Sequence, residues 1–164
     1  MLPVERPISF NPSLLGAVNA GRKTVTRRRL PLELPPNCAP AAYRYCGQHA
    51  GYARFTGEYP GGPTHDVPCP FGTAGDRLRV IEQPELVLLI LSVRAERVRA
   101  ITEVDARAEG VGETEAASAS GPTRSVLAAF QELIDQFYSH CWARNEWVWV
   151  VEFRRLAESE LATA

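Results

Sequence analysis

The chain has 164 residues, with 18 basic side chains, 19 acidic ones and a formal net charge of −1. A hydrophobic content of 45% and a charged content of 23% suit a folded globular domain, and the near-zero net charge excludes coating of nucleic acid by global charge alone. No run of about 18 apolar residues is present, which excludes a membrane-spanning helix, and the length suits one domain with a sizeable core.

The N-terminus, Met1-Leu2-Pro3-Val4-Glu5-Arg6-Pro7, lacks the basic and apolar regions of a signal peptide. A cytosolic location is therefore expected, and there the four cysteines read as free thiols or metal ligands rather than disulfides. Asn11-Pro12-Ser13 opens a helix: Asn11 caps and Pro12 suits the first helical position. Leu14, Leu15 and Val18 form its apolar face, and Gly21 sits where it closes. A basic strip follows, Gly21-Arg22-Lys23-Thr24-Val25-Thr26-Arg27-Arg28-Arg29, at the helix end whose dipole favours cations. The alternation of a strand would put Thr26 and Arg28 on one side.

Residues 31–74 hold most of the prolines, with tyrosines between, and read as a long loop insertion with little regular structure. Gly75-Asp76 is a turn into a strand, Arg77–Glu82, which Pro84-Glu85 breaks. Leu86–Ala100 is a long strand that begins fully apolar and then alternates. Thr102 caps a short helix over Glu103–Glu109, with Asp105 reaching back as in a capping box, and Gly110 ends it. Residues 111–122 are a polar linker. Ser125 to about His140 is an amphipathic helix with Leu127, Phe130, Leu133, Ile134 and Phe137 on one face. Glu146–Phe153 is an aromatic and β-branched strand, and 157–164 reads as a frayed tail. This order does not alternate as a parallel βαβ fold would. It predicts an α+β domain spanning 1–164, a small, mostly antiparallel β-barrel with flanking α-helices.

Lys23 is the only lysine among the 18 basic residues. Lysine gives up its proton when desolvated or set beside another cation, which arginine does not, so a lone lysine marks a position where arginine would not serve. An arginine-rich genome also leaves one lysine by chance.

Four pieces together resemble the ASCH domain family of the PUA-like superfamily. They are Gly21-x-Lys23-x-x-Thr26-x-Arg28 after a helix, and Gly75-Asp76-x-Leu78-x-Val80 into a strand. Then come Ile101-Thr102-Glu103 with Ala106 and Ala108-Glu109-Gly110, and Trp142 with Asn145-x-Trp147-Val148-Trp149-Val150-Val151-Glu152-Phe153. The resemblance covers about residues 7–30 and 70–156 and is strongest to phage- and prophage-encoded members. The chain departs in having threonine at position 26, where many members have glutamate, in its long 31–70 segment, and in lacking an aromatic residue after Glu82. The resemblance implies a six-stranded barrel with a cleft lined by the Lys/Arg motif. It also implies RNA or nucleotide binding and, in one branch, hydrolysis of N4-acetylcytidine by a lysine, a threonine and a glutamate that fall on Lys23, Thr26 and Glu109.

Three functional readings follow. In the first, Gly21, Arg22, Lys23, Arg27 and Arg28 bind RNA, a nucleotide or a modified nucleoside. Arginine offers phosphate a bidentate fork, and Tyr43, Tyr45, Tyr52, Phe55 and Tyr59 are candidates to stack on bases. In the second, the chain is an N4-acylcytidine amidohydrolase with Thr26 as nucleophile, Lys23 as its base and Glu109 orienting the lysine. Like-charged neighbours lower the Lys23 pKa and Glu109 raises it, so the sequence leaves the net direction open. In the third, the chain is a phage accessory protein acting through protein contacts. The ordinary alternatives are a Lys23–Glu109 ion pair, a strand threonine and solvated arginines. No cofactor is expected, although Cys38, Cys46, His49, His65 and Cys69 in the insertion are weak candidates for a zinc site. Cys141, Trp147 and Trp149 read as packing residues, with Trp142 an alternative base-stacking residue.

Overall fold

The structure is a computed structural model that describes residues 2–30, 43–49, 51–57, 64–111 and 125–162. The predicted linker beyond Val111, Cys38 and Tyr59 lie outside these residues. The fold is α+β. Strand β1 (Glu5–Ile8) and helix α1 (Pro12–Asn19) lead into β2 (Val25–Arg29). Strands β3 (Tyr43–His49), β4 (Tyr52–Gly57) and β5 (Thr64–Pro68) come next, followed by β6 (Arg77–Val80) and β7 (Val87–Arg97). A 3₁₀ turn, Val98–Ala100, leads to α2 (Glu103–Ala108). Then come α3 (Val126–Phe137), α4 (Cys141–Arg144), β8 (Trp147–Arg155) and α5 (Glu158–Leu161).

The strands form a five-stranded sheet ordered β1-β6-β7-β8-β2 and a three-stranded sheet β3-β4-β5. All pairings are antiparallel except β1 with β6. Among the described residues the sheets do not close into a barrel: β1 and β2 are the edges of the larger sheet, where a six-stranded barrel was expected. No helix among the described residues is long and apolar enough to cross a membrane.

The largest correction falls within the expected loop at 31–74, whose described residues include three strands, β3, β4 and β5, where irregular structure was expected. Their core face carries Tyr43, Tyr45, Ala53 and Phe55, packed against Trp147; the Phe55 and Trp147 rings meet edge-on at 4.9 Å. A bulge between Tyr45 and Gly47 breaks the period of two, which hides the strand signal in the sequence. Smaller corrections are local. Strand β6 stops at Val80 because 81–85 turn back, with Leu86 N donating to Gln83 O. Strand β7 stops at Arg97, after which Asn145 Oδ1 accepts from Arg99 N. Helix α3 ends at Phe137, since Tyr138 is extended at φ −132°. The tail carries a one-turn helix, α5, that Glu160 caps by accepting from Ala157 N.

The caps at Asn11 and Thr102 are as predicted, and Ser125, expected only as the start of its helix, caps it too; each accepts from a backbone N–H three residues on. Asp105, however, turns its carboxylate to Arg27. Strand β8 separates two cores. Trp147, Trp149, Val151 and Phe153 face one, against Phe10, Val18 and Leu78; Val148 and Val150 face the other, beneath α2 and α3.

Candidate functional site

Backbone pairing sets Lys23 against Glu109 before any side chain acts. Helix α1 closes at Gly21, whose φ of +77° glycine adopts without a Cβ penalty. The amides of Arg22 and Lys23 then both donate to Ala17 O, at 2.9 and 3.1 Å. Lys23 forms an antiparallel bridge with Glu109, the residue that caps α2, and Thr24 N donates to Ala108 O at 2.8 Å. Gly110, at φ +93°, lies against the Lys23 stem.

Lys23 is 2% exposed and Glu109 3%. The Lys23 ammonium donates to Glu109 Oε2 at 3.0 Å, Glu109 O at 3.0 Å and Val25 O at 2.8 Å, which uses all three of its protons. Burial is the strongest influence on Lys23 and moves its pKa down; Glu109 opposes this, while Arg28 and Arg27 add to it, and the net direction is down. The direction that the sequence left open is therefore set mainly by desolvation.

The two middle arginines of the strip do different work. Arg27 is wholly buried and donates to three carboxylates: Glu109 Oε1 at 2.9 Å, Glu96 Oε1 at 2.6 Å and Asp105 Oδ2 at 3.1 Å. Arg28 lies on the opposite side of β2, partly buried. Its Nε donates to Thr26 Oγ1 at 3.1 Å and its Nη2 to Ser9 O at 2.7 Å. The guanidinium sits 5.4 Å from the Phe10 ring centroid and 5.9 Å from that of Phe71. Among the described residues no carboxylate ion-pairs with Arg28, and burial moves its pKa down.

Lys23, Thr26, Arg27, Arg28 and Glu109 line one pocket of about 70 Å³ along the free edge of β2. Ser9, Phe10, Asn11 and Leu14 close one side, and Phe130, Leu133, Ile134, Phe137 and Tyr138 of α3 and its exit close the other. At about 10–15 Å³ per water position, the space holds a single ring or an acyl amide rather than a strand of nucleic acid. Thr26 lines the same space, yet all three Lys23 hydrogen bonds go elsewhere. Arg22 is exposed, with Nη1 donating to Gly110 O at 3.3 Å, and neither it nor Gly21 lines the pocket.

The sequence reading missed Ser9, Phe10 and Tyr138 as pocket residues. It placed Phe137 on the packed face of α3, whereas Phe137 is 50% exposed at the pocket rim. A signal was present: Val126, Phe130 and Ile134 already fill the buried stripe at a spacing of four.

The insertion residues are placed apart from this pocket. Tyr43, Tyr45 and Phe55 pack inward, Tyr52 stacks with His49, and His65 meets Tyr43 edge-on. Cys46 is exposed near Thr56 Oγ1, and Cys69 is a buried free thiol. Among the described residues no group of three or more His, Cys, Asp or Glu side chains is arranged to hold a metal ion. Cys141 is buried, and burial pushes its thiol up to about 12.

No protein-family model and no curated protein matches this sequence. Among solved structures, an ASCH domain from Lactobacillus crispatus JV V101 aligns at a TM-score of 0.51 and 14% identity, over 93% of this chain and 79% of that one. Protein EF3133 from Enterococcus faecalis V583 aligns over 95% of this chain and 82% of its own, at 16% identity and a TM-score of 0.45. At these identities the likeness concerns the fold: the chain has an ASCH-like fold.

Proposed function

We propose that this chain binds RNA, a nucleotide or a modified nucleoside by taking one base or base-like ring into the β2-edge pocket. The observation that carries this reading is Arg28. A guanidinium partly removed from water without a carboxylate leaves charge and donor capacity unmatched, and a carbonyl or anionic oxygen on a ligand would supply the match. The surrounding Phe10, Leu14, Leu133, Phe137 and Tyr138 suit the faces of a ring. A pocket of this size takes an RNA base only when it is unstacked. The ASCH-like fold and the spacing of Gly21, Lys23, Thr26 and Arg28 support this reading; a phage or prophage type is suggested by the sequence resemblance alone, and a cytosolic location by the absence of signal-peptide character at residues 1–7.

The test is calorimetric titration of cytidine, cytidine 5′-monophosphate, N4-acetylcytidine and a short single-stranded RNA, at two salt concentrations. Wild type is compared with Arg28→Gln. A charge-assisted hydrogen bond contributes about 1.5–3 kcal/mol, so Arg28→Gln should weaken the bound probe at least about tenfold. An RNA ligand adds a salt dependence that a neutral nucleoside does not. Absence of binding by every probe, or equal binding by Arg28→Gln, refutes the reading.

A second reading is favoured by the downward shift of the Lys23 amine in a pocket that also holds Thr26. In an N4-acylcytidine amidohydrolase, Thr26 Oγ attacks the acyl carbonyl and passes its proton to a neutral Lys23 Nζ. The C–N bond breaks as N4 takes that proton, and water later cleaves the acyl-threonine. Arg28 Nε, already on Thr26 Oγ1, would stabilise the developing oxyanion. Lys23 must first give up one of its three acceptors. Release of cytidine from N4-acetylcytidine by wild type and not by a folded Lys23→Arg variant supports this chemistry; no release by wild type removes it.

A further inference from the structure

We infer that Arg27, although it borders the pocket, is a positioning residue: it fixes Glu109 and sets how much of that carboxylate's charge Lys23 receives. The sequence pattern groups Arg27 with the ligand-binding arginines, but the geometry assigns it elsewhere. Its side chain is fully buried, and its Nη1 and Nη2 are taken by Glu109, Glu96 and Asp105. Strand register explains the placement. Arg27 pairs with Val150, which pairs with Arg94, so Arg27 lies on the β8 face that looks toward α2 and α3. Thr26 pairs with Val151 and Arg28 with Trp149, on the other face.

Glu109 stands between two cations. Oε2 accepts from Lys23 and Oε1 from Arg27, so each cation limits what the other obtains. Behind Arg27, Asp105 of α2 and Glu96 of β7 hold the guanidinium, and Glu96 also pairs with Arg94 at 3.3 Å, which reaches Glu152 at 3.1 Å. The groups that bear on Lys23 are thus Glu109 directly, Arg28 and Arg27 of the following strand β2, and Glu96, Asp105, Arg94 and Glu152 through Arg27; Tyr138 lines the same pocket. Arg27 and its carboxylates form a charge network, buried at Arg27 and Glu109 and partly exposed at Glu96 and Asp105, whose readout is the proton on Lys23.

The chain's single lysine makes the test direct. Protein labelled with ¹³Cε-lysine gives one side-chain signal, and its shift against pH reports Lys23 alone. Arg27→Met removes the competitor for Glu109, so Lys23 should hold its proton to higher pH, with the amine-to-ammonium ratio falling about tenfold at a given pH, equivalent to one unit. Glu96→Gln keeps Arg27 but strips one counter-charge from it, so Lys23 should move the opposite way by a smaller factor. With Glu109→Gln in place, Arg27→Met should move Lys23 much less, because Arg27 acts through Glu109. Should Arg27→Met fail to fold, Glu96→Gln decides, since Glu96 is partly exposed and its loss leaves Arg27 bound to Asp105 and Glu109. A Lys23 titration unmoved by Glu96→Gln, and by Arg27→Met where it folds, overturns the inference and leaves Arg27 as packing. The titration uses no ligand, so its failure and a failure of the binding proposal are separate outcomes.

Discussion

Replacing Gly110 with alanine tests whether the Lys23–Glu109 bridge depends on the absence of a side chain beside it. A Cβ at Gly110 would lie 3.0 Å from Ala17 Cβ, 3.1 Å from Lys23 Cβ and 3.5 Å from Lys23 Cδ, and the backbone there has φ +93°. A non-glycine residue in that backbone region costs about 1–3 kcal/mol, and forcing a methyl group into a filled space costs a similar amount. The expected loss is about 2–6 kcal/mol, a large fraction of a typical domain stability. Gly16, in the exposed middle of α1, is the internal control: a Cβ there meets nothing within 4 Å and its φ is helical, so Gly16→Ala should stabilise by about 0.5–1 kcal/mol. Urea unfolding followed by tryptophan fluorescence measures both, with similar slopes in denaturant if unfolding is two-state. A Gly110→Ala variant within about 0.5 kcal/mol of wild type, or a shift of the same sign for both variants, refutes the argument.

Phe137→Ala should leave stability within about 0.5 kcal/mol, since half of the side chain is exposed, and weaken whichever probe binds; thermal unfolding and titration calorimetry check the pair. Because the Lys23 pKa is lower in the folded state than in the unfolded chain, the unfolded state binds more protons between those two values. Stability should therefore rise with pH through that window, which lies below the ordinary lysine pKa, and Lys23→Met should flatten the rise. Comparing the two proteins cancels the opposing contribution of Cys141, whose thiol burial pushes up to about 12. Trp149 is fully buried, and Trp149→Ala should cost about 3–5 kcal/mol by urea unfolding; Trp142→Ala, partly exposed on α4, should cost much less.

The legible parts of the sequence were those with short-range causes. The caps at Asn11 and Thr102, the helix start at Ser125 and the turn at Gly75 are decided within a few residues, and each held. The split of Trp147 and Trp149 from Val148 and Val150 follows from the period of two alone. The insertion was misread because its prolines and glycines outweighed an alternating pattern that the Tyr45–Gly47 bulge puts out of phase. At the site, alternation placed Thr26 and Arg28 together but said nothing of the carboxylates around Arg27. Those come from Glu96, Asp105 and Glu109, between 69 and 82 residues away, and only the folded sheet brings them near. Phe137 was assigned to the core by extending a helical stripe one turn beyond where the buried surface ends.

The spacing Gly21-x-Lys23-x-x-Thr26-x-Arg28 has a physical reading on an edge strand. Gly21 turns the chain out of α1, and two residues later Lys23 reaches the bridge with Glu109. Among the described residues β2 pairs only with β8, so its outer carbonyls would face solvent or another strand. Lys23 Nζ takes Val25 O, the first of them, and so blocks strand addition where β2 begins. Three residues on from Lys23 comes Thr26, and a step of two from there places Arg28 on the same face, with Arg27 between them turned into the ion network. Arginine at position 23 would have to fit a planar five-donor group where three acceptors surround a single nitrogen. A point-like cation that can also lose its proton meets that geometry, which gives the chain's lone lysine a structural reason independent of codon usage.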